Sequence, residues 1–247
     1  MLVLLPPSES KWAGPRRGSP VRLDTLTSPA LTAAREQVLD ALAAASARAD
    51  ALELLGAGAS LADVVAANTT LRERPAARAA QVYTGVLFDA LDLPSLPAAA
   101  ARRVLVVSAL WGVLSPRDRV PGYRLSMGTD LPGLGPLAAW WRPRLAEALR
   151  PQGLVVDCRS AAYAAAWVPD ADTAARTVAV RVLAGGRVVS HAAKHTRGLL
   201  ARHLLTRTGR PPRTPAALAD AAAEAFQARL REPAGRAKPW TLDVEAR

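Results

Sequence analysis

Three short apolar runs do most to restrict the fold. Residues 2–5, residues 103–108 around Val104-Leu105-Val106-Val107, and residues 154–158 are strand-length and lack polar alternation. That is the pattern of strands buried inside a sheet rather than wetted on one face. Between them lie alanine- and leucine-rich stretches of helical character at 30–47, about 134–149 and 191–208, with a further one expected at about 215–230. Ser28-Pro29 and Thr214-Pro215 are helix-start signals, and Gly209 with Pro211-Pro212 is a stop. Gly185-Gly186 between 178–183 and 187–190 is a hairpin signal. A short helix is expected from Ser60, partial helix over 77–91, and a returning strand over 238–245. Strands that alternate with helices and then include a hairpin define an α/β class with a mixed sheet. No internal repeat occurs, and 209–215 is too short for a linker, so one domain over 1–247 is expected.

The opening MLVLLPPSES has no basic n-region and breaks at Pro6-Pro7, so it reads as a strand entering a loop rather than a signal peptide. No apolar run reaches the roughly 18 residues of a spanning helix. A lone cysteine, Cys158, excludes an internal disulfide and suits a cytoplasmic setting. The net charge of +11 calls for an anionic partner such as nucleic acid or a nucleotide. A membrane surface fits poorly, because no basic amphipathic helix carries large apolar anchors.

The basic residues divide unevenly, three lysines against twenty-nine arginines. A compact, pKa-tunable ammonium does what a planar guanidinium cannot. Lys11 follows the first strand, Lys194 lies in HAAKHTRG, and Lys238 is near the C-terminus. The first two are therefore candidate site residues, and a desolvated lysine can serve as base or nucleophile. The densest motif is SALWGVLSPRDRVPGYRLSMG, residues 108–128, leaving a buried strand, which is where α/β proteins place their sites. Gly112 between Trp111 and Val113 suggests a turn whose backbone N–H groups approach a phosphate. Asp118 is either catalytic or paired with Arg117, Arg119 or Arg124. On the 191–208 helix Lys194, Gly198 and Arg202 share a stripe with Arg197 one turn from Lys194, an anion-binding edge. Ser160 and Tyr163 are hydroxyl donors at another strand end, Ser160 being equally suited to N-capping. His191 and His195 have chelating spacing but no third ligand, so no metal and no cofactor is expected. Walker, dinucleotide and nucleophile-elbow motifs are absent from the sequence.

Four blocks in order resemble the YaaA family of bacterial peroxide-stress proteins. They are LVLLPPSESK with Ser8 and Lys11; Val82-Tyr83-Thr84-Gly85; and the long motif through Ser108, Gly112, Val113, Leu114, Pro116, Asp118, Tyr123, Arg124, Met127 and Gly128. The fourth is Lys194, Arg197, Gly198 and Arg202. Residues 159–163, Arg-Ser-Ala-Ala-Tyr, resemble the family's Ala-Ser-Asp-Glu-Tyr but lack its acidic pair, which removes any role of those carboxylates. The resemblance implies a mixed α/β fold with a positively charged cleft, DNA binding, and protection against iron-linked damage during hydrogen peroxide stress. It also implies a helix-hairpin-helix-like element, expected around Gly112. DNA binding through Lys11, Arg124, Lys194, Arg197 and Arg202, by a monomer, is the leading expectation. The alternative is an enzyme cleaving or transferring at a glycosidic bond of nucleotides or nucleobases.

Overall fold

The computed structural model describes residues 1–189 and 191–246 and, within them, all but the side chain of His191. The main sheet contains β1 (Leu2–Leu5), β2 (Val104–Ser108), β3 (Gly112–Leu114), β4 (Val155–Asp157), β5 (Thr177–Ala184), β6 (Arg187–Val188), β7 (Ala228–Arg231) and β8 (Trp240–Glu245). Their order is β7-β8-β5-β4-β1-β2-β3, with β6 paired to β5. β8, β5, β4, β1 and β2 run parallel; β7, β6 and β3 pair antiparallel. The sheet is mixed, as expected.

The three apolar runs form its centre. Val3 sits opposite Val104 on one side and Val156 on the other, and all three are buried. Helices α1 (Thr32–Ser46), α2 (Val86–Leu91), α3 (Leu137–Ala148), α4 (Ala161–Ala164), α5 (His191–Thr206) and α6 (Pro215–Ala223) flank it, with shorter helical turns between. One connected apolar core runs from Val3 to Val244.

The chain leaves β1 for β2 on one side, then crosses to β4 on the other and continues outward to β5 and β8. Strand order therefore reverses between β1 and β4. An open α/β sheet usually binds its ligand beside the carboxyl ends of the two strands at such a reversal, here called the β1/β4 crevice.

Several local signals hold. Gly185 and Gly186 take φ of +56° and +78°, the left-handed pair that a two-residue hairpin turn needs. Ser190, assigned to that hairpin from sequence, lies outside the described residues. Thr214 caps α6 by accepting the Ala217 N–H at 3.2 Å. The expected helix at 215–230 is corrected: α6 stops at Ala223, and Ala228-Arg229-Leu230-Arg231 is edge strand β7. Its Ala-Arg-Leu-Arg alternation, half-buried and exposed by turns, was hidden by the alanine run before it.

Arg35, on α1, is buried and holds the β2–β3 hairpin from beneath. It donates to Trp111 O at 3.0 Å, Val113 O at 3.1 Å, Ser28 O at 3.2 Å, and Thr27 O. Burial pushes its pKa down to about 10, against an opposing pull from Asp118. No helix among the described residues is long and apolar enough to cross a membrane.

Candidate functional site

Loops from five parts of the chain meet at the β1/β4 crevice. Pro6-Pro7 ends β1, and the next residues are pinned to the 82–84 turn. Ser8 Oγ accepts the Thr84 N–H at 3.2 Å and donates to Ser10 O. Lys11 forms an antiparallel bridge with Tyr83, and the Trp12 N–H donates to Val82 O at 2.9 Å. Gly85 turns the segment away at φ +90°, its α-carbon facing the Ser10 side chain.

These pairings place Lys11 over a floor of hydroxyls. Its Nζ donates to Ser8 O at 2.6 Å and lies 4.4 Å from the centre of the Tyr123 ring. Beneath it, Tyr83 OH and Tyr123 OH are 3.2 Å apart, and Tyr123 OH is 2.7 Å from Ser108 Oγ. Ser108, at the end of β2, also accepts the N–H groups of Leu110 at 3.2 Å and Trp111 at 3.1 Å. Burial raises the phenols of Tyr83 and Tyr123 well above their ordinary value, so both stay protonated and act as hydrogen-bonding groups.

Removal from water, then the charge of Arg124, pushes the Lys11 ammonium down to about 7 against a weaker upward pull from Glu9. In the unfolded chain this amine keeps its proton to about 10.5. Between those values the unfolded state binds more protons, so stability rises with pH there and is flat with respect to Lys11 below about 7. Urea unfolding of wild type and Lys11→Met across this range tests the assignment. Wild-type stability relative to the variant should climb from about pH 7 towards 10.5; a constant difference would place the ammonium in water.

Charged groups surround this lysine. Glu9 is paired with Lys194, in the first turn of α5, at 3.1 Å, with both side chains exposed. The Lys194 hydrogen bond, then its charge, lowers the Glu9 carboxyl. Arg124 is fixed through its backbone: its N–H donates to Asn68 Oδ1 at 3.0 Å and its carbonyl accepts Asn68 Nδ2 at 2.9 Å. Its Nε is buried without a hydrogen-bond partner among the described residues. From the loop after β4, Tyr163 OH accepts the Met127 N–H at 3.4 Å. Burial lifts this phenol to about 12, with Glu9 and Arg124 as smaller influences of opposite sign. Ser160 sits at the N-cap of α4 but its hydroxyl makes no capping bond.

The fold thus brings Ser8, Lys11, Tyr83, Gly85, Ser108, Tyr123, Arg124, Tyr163 and Lys194 into one linked group. The Ser160 side chain makes no hydrogen bond with them among the described residues, and other expected residues are put to different use. Asp118 is a turn residue, accepting Ser115 N at 2.9 Å, Ser115 Oγ at 3.1 Å and Thr27 N at 3.1 Å. Its expected arginine partners do not hold it. Gly112 lies in the buried β2–β3 hairpin at φ +70°, where a β-carbon would stand 2.7 Å from the Trp141 ring. The segment is therefore a packed β-hairpin, neither an open phosphate turn nor a helix-hairpin-helix. Gly198 faces Leu87 and Ala90 of α2, so the close neighbour it admits is a helix, not a ligand. Arg202 binds Leu91 O at 2.8 Å and Ser95 Oγ at 3.1 Å beyond the end of α2. Arg197 donates to Val180 O at 3.2 Å, and its Nε is buried without a partner among the described residues.

Glu9 escaped the sequence reading because its partner is 185 residues away. Asn68 escaped for a similar reason, bracing Arg124 across 56 residues. Among the described residues no group of three or more His, Cys, Asp or Glu is placed to hold a metal; the His191 side chain lies outside them. A surface groove of about 640 Å³ lies elsewhere, over β5, β7 and β8, lined by Arg181, Arg231 and Lys238 among others.

Fold and site together define an α/β protein with Lys11 set among hydroxyl and charged groups at the switch point of a mixed sheet. Residues 1–231 match the family model of peroxide stress protein YaaA. The chain is 50% identical to UPF0246 protein SCO2297 of Streptomyces coelicolor, over 99% of this chain and 98% of that one. It is 40% identical to UPF0246 protein CE1889 of Corynebacterium efficiens, over 83% and 85%. A protein of Burkholderia lata, UPF0246 protein Bcep18194_A5551, is 32% identical over 64% of this chain. The chain belongs to the YaaA family of peroxide stress proteins.

Proposed function

We propose that the protein serves peroxide defence by engaging DNA, with backbone phosphate entering the β1/β4 crevice and protection falling on the DNA against iron-linked damage. The observation that carries this reading is the convergence of Lys11, Arg124 and Lys194 from three separate segments. Glu9 is the carboxylate whose charge acts on Lys11, and it is itself paired with Lys194. The net charge of +11 supports an anionic polymer as partner. Such contacts read the backbone rather than base sequence.

Binding of a labelled duplex across a salt series tests this. Affinity should fall steeply with salt, and Lys194→Ala with Arg124→Ala should flatten the log–log slope by about two, roughly one per lost phosphate contact. An unchanged slope in the double variant would move the phosphate contacts elsewhere; no binding at low salt would sink the DNA reading.

A second reading has its own observation. A lysine held near pKa 7 by burial, above a chain of three hydroxyls, is what acid–base or nucleophilic chemistry on a nucleotide or nucleobase requires. Binding of a nucleotide in the absence of duplex binding would favour it.

A further inference from the structure

We propose that Lys11 is an imine-forming amine that captures the sugar aldehyde of an abasic site in DNA and breaks the strand by β-elimination. This rests on the reading that nucleic acid enters the crevice, and adds a reaction to it.

The three lysines are in different states. Lys238 is exposed, and Lys194 is exposed and ion-paired to Glu9. Lys11 has no ion pair among the described residues: its Nζ is held by one carbonyl, Ser8 O, against the face of Tyr123. An ammonium removed from water without a direct counter-ion is costly, and the amine relieves that cost by losing its proton. The neutral form, which an arginine at this place would not supply, is the nucleophile that carbonyl chemistry needs. The residue as a whole is only half-buried, so the crevice side remains approachable.

The surroundings specify the aldehyde. An abasic sugar carries phosphate on both sides, and two cations stand near the lysine's loop: Arg124, whose charge acts on Lys11, and Lys194, paired to Glu9 in that loop. Base loss is a common end of oxidative injury to DNA, which fits a peroxide-stress protein.

The reaction balances without an oxidant. The Lys11 nitrogen attacks C1′ of the open-chain sugar, a C–N bond forms, and the resulting carbinolamine loses water to give a protonated imine. A C2′ proton passes to the Glu9 carboxylate and the C–H electron pair forms a C1′=C2′ enamine as the nitrogen takes up its lone pair. That pair then returns, a C2′=C3′ bond forms, and the C3′–O bond breaks with the 3′ phosphate as leaving group. Water then hydrolyses the imine, returning the amine and an unsaturated aldehyde on the cut strand.

The full chain is incubated with a duplex oligonucleotide bearing one abasic site, in the presence of borohydride to reduce any imine to a stable amine. Three lysines and the α-amine of Met1 are the primary amines available, so peptide mapping of the wild-type adduct is unambiguous. The expected result is an adduct on Lys11. Lys11→Arg should lower the trapped fraction by about tenfold or more, while Lys238→Arg leaves it unchanged. An adduct on Met1, Lys194 or Lys238, or no adduct, overturns the proposal. So does capture of glycolaldehyde phosphate without capture of the oligonucleotide. Mapping on wild type makes the result independent of whether Lys11→Arg folds. Intact-duplex binding measured in parallel separates the readings: binding without an adduct removes the lyase and leaves DNA engagement, and loss of both removes both.

Discussion

Replacing Arg159 by leucine should cost about 3–5 kcal/mol of stability, the usual penalty for stranding a buried charge. The Arg159 side chain is 1% exposed and that of Asp157 10%. Nε and Nη2 meet the two carboxylate oxygens at 2.8 and 2.7 Å, a bidentate pair. The same guanidinium donates to Tyr163 O and Trp167 O, each at 3.0 Å, and lies over the Trp167 ring. Removing it leaves the carboxylate with the residue-159 backbone N–H as its remaining donor among the described residues, and unties two carbonyls at once. Chemical denaturation of three proteins checks this: wild type, Arg159→Leu, and the double variant Asp157→Val with Arg159→Leu. The double variant should recover part of the loss, because it removes the stranded charge as well as its partner. Equal stability of single and double variants would show that the pair is not energetically coupled. Even where stability returns, the 158–167 loop has lost its clamp, so Tyr163 should leave Met127 and binding at the crevice should fall.

Gly198→Val should be of comparable size. A β-carbon at this position would lie 2.3 Å from Leu87 O and 2.8 Å from Ala90 Cβ. The first of these is helix backbone, so α5 must lift away from α2. Even Gly198→Ala, which gains about 1 kcal/mol in helix propensity, should be destabilising, because overpacking costs about 1–3 kcal/mol and sometimes more. Valine adds two further methyl groups in the same space, and its thermal midpoint should lie below that of the alanine variant. An alanine variant as stable as wild type would mean that the two helices separate at no cost. The shift should also reach the site, since Lys194 is one turn from Gly198 on the same helix and must stay within reach of Glu9.

What was legible in the sequence was local. The unbroken runs at β1, β2 and β4 declared buried strands, Gly185-Gly186 declared a hairpin, and Thr214-Pro215 declared the start of α6. Lys11 stood out because the chain otherwise chooses arginine. What surrounds Lys11 was not legible: Tyr123 beneath it, Arg124 beside it and the Glu9–Lys194 pair are juxtapositions of segments that carry no mark of one another. The same limit hid the structural partners of Asp118, Gly198 and Arg202. A carboxylate in a loop, a glycine in a helix and an arginine on a basic stripe look identical whether they face a ligand or a neighbouring element. β7 was missed for a different reason, since four alternating residues after a helical alanine run give period analysis too little to separate.

The position of β1 bears on how the chain is made. This strand is made well before its parallel neighbours, β2 at residues 104–108 and β4 at residues 155–157. One edge of the central strand therefore stays open until residue 108 has been added, and the other until residue 157, past the midpoint of these 247 residues. Such distant pairings fold slowly, and an unpaired apolar strand invites association in the meantime. Nascent chains stalled before β4 should accordingly be more chaperone-dependent than those released after it.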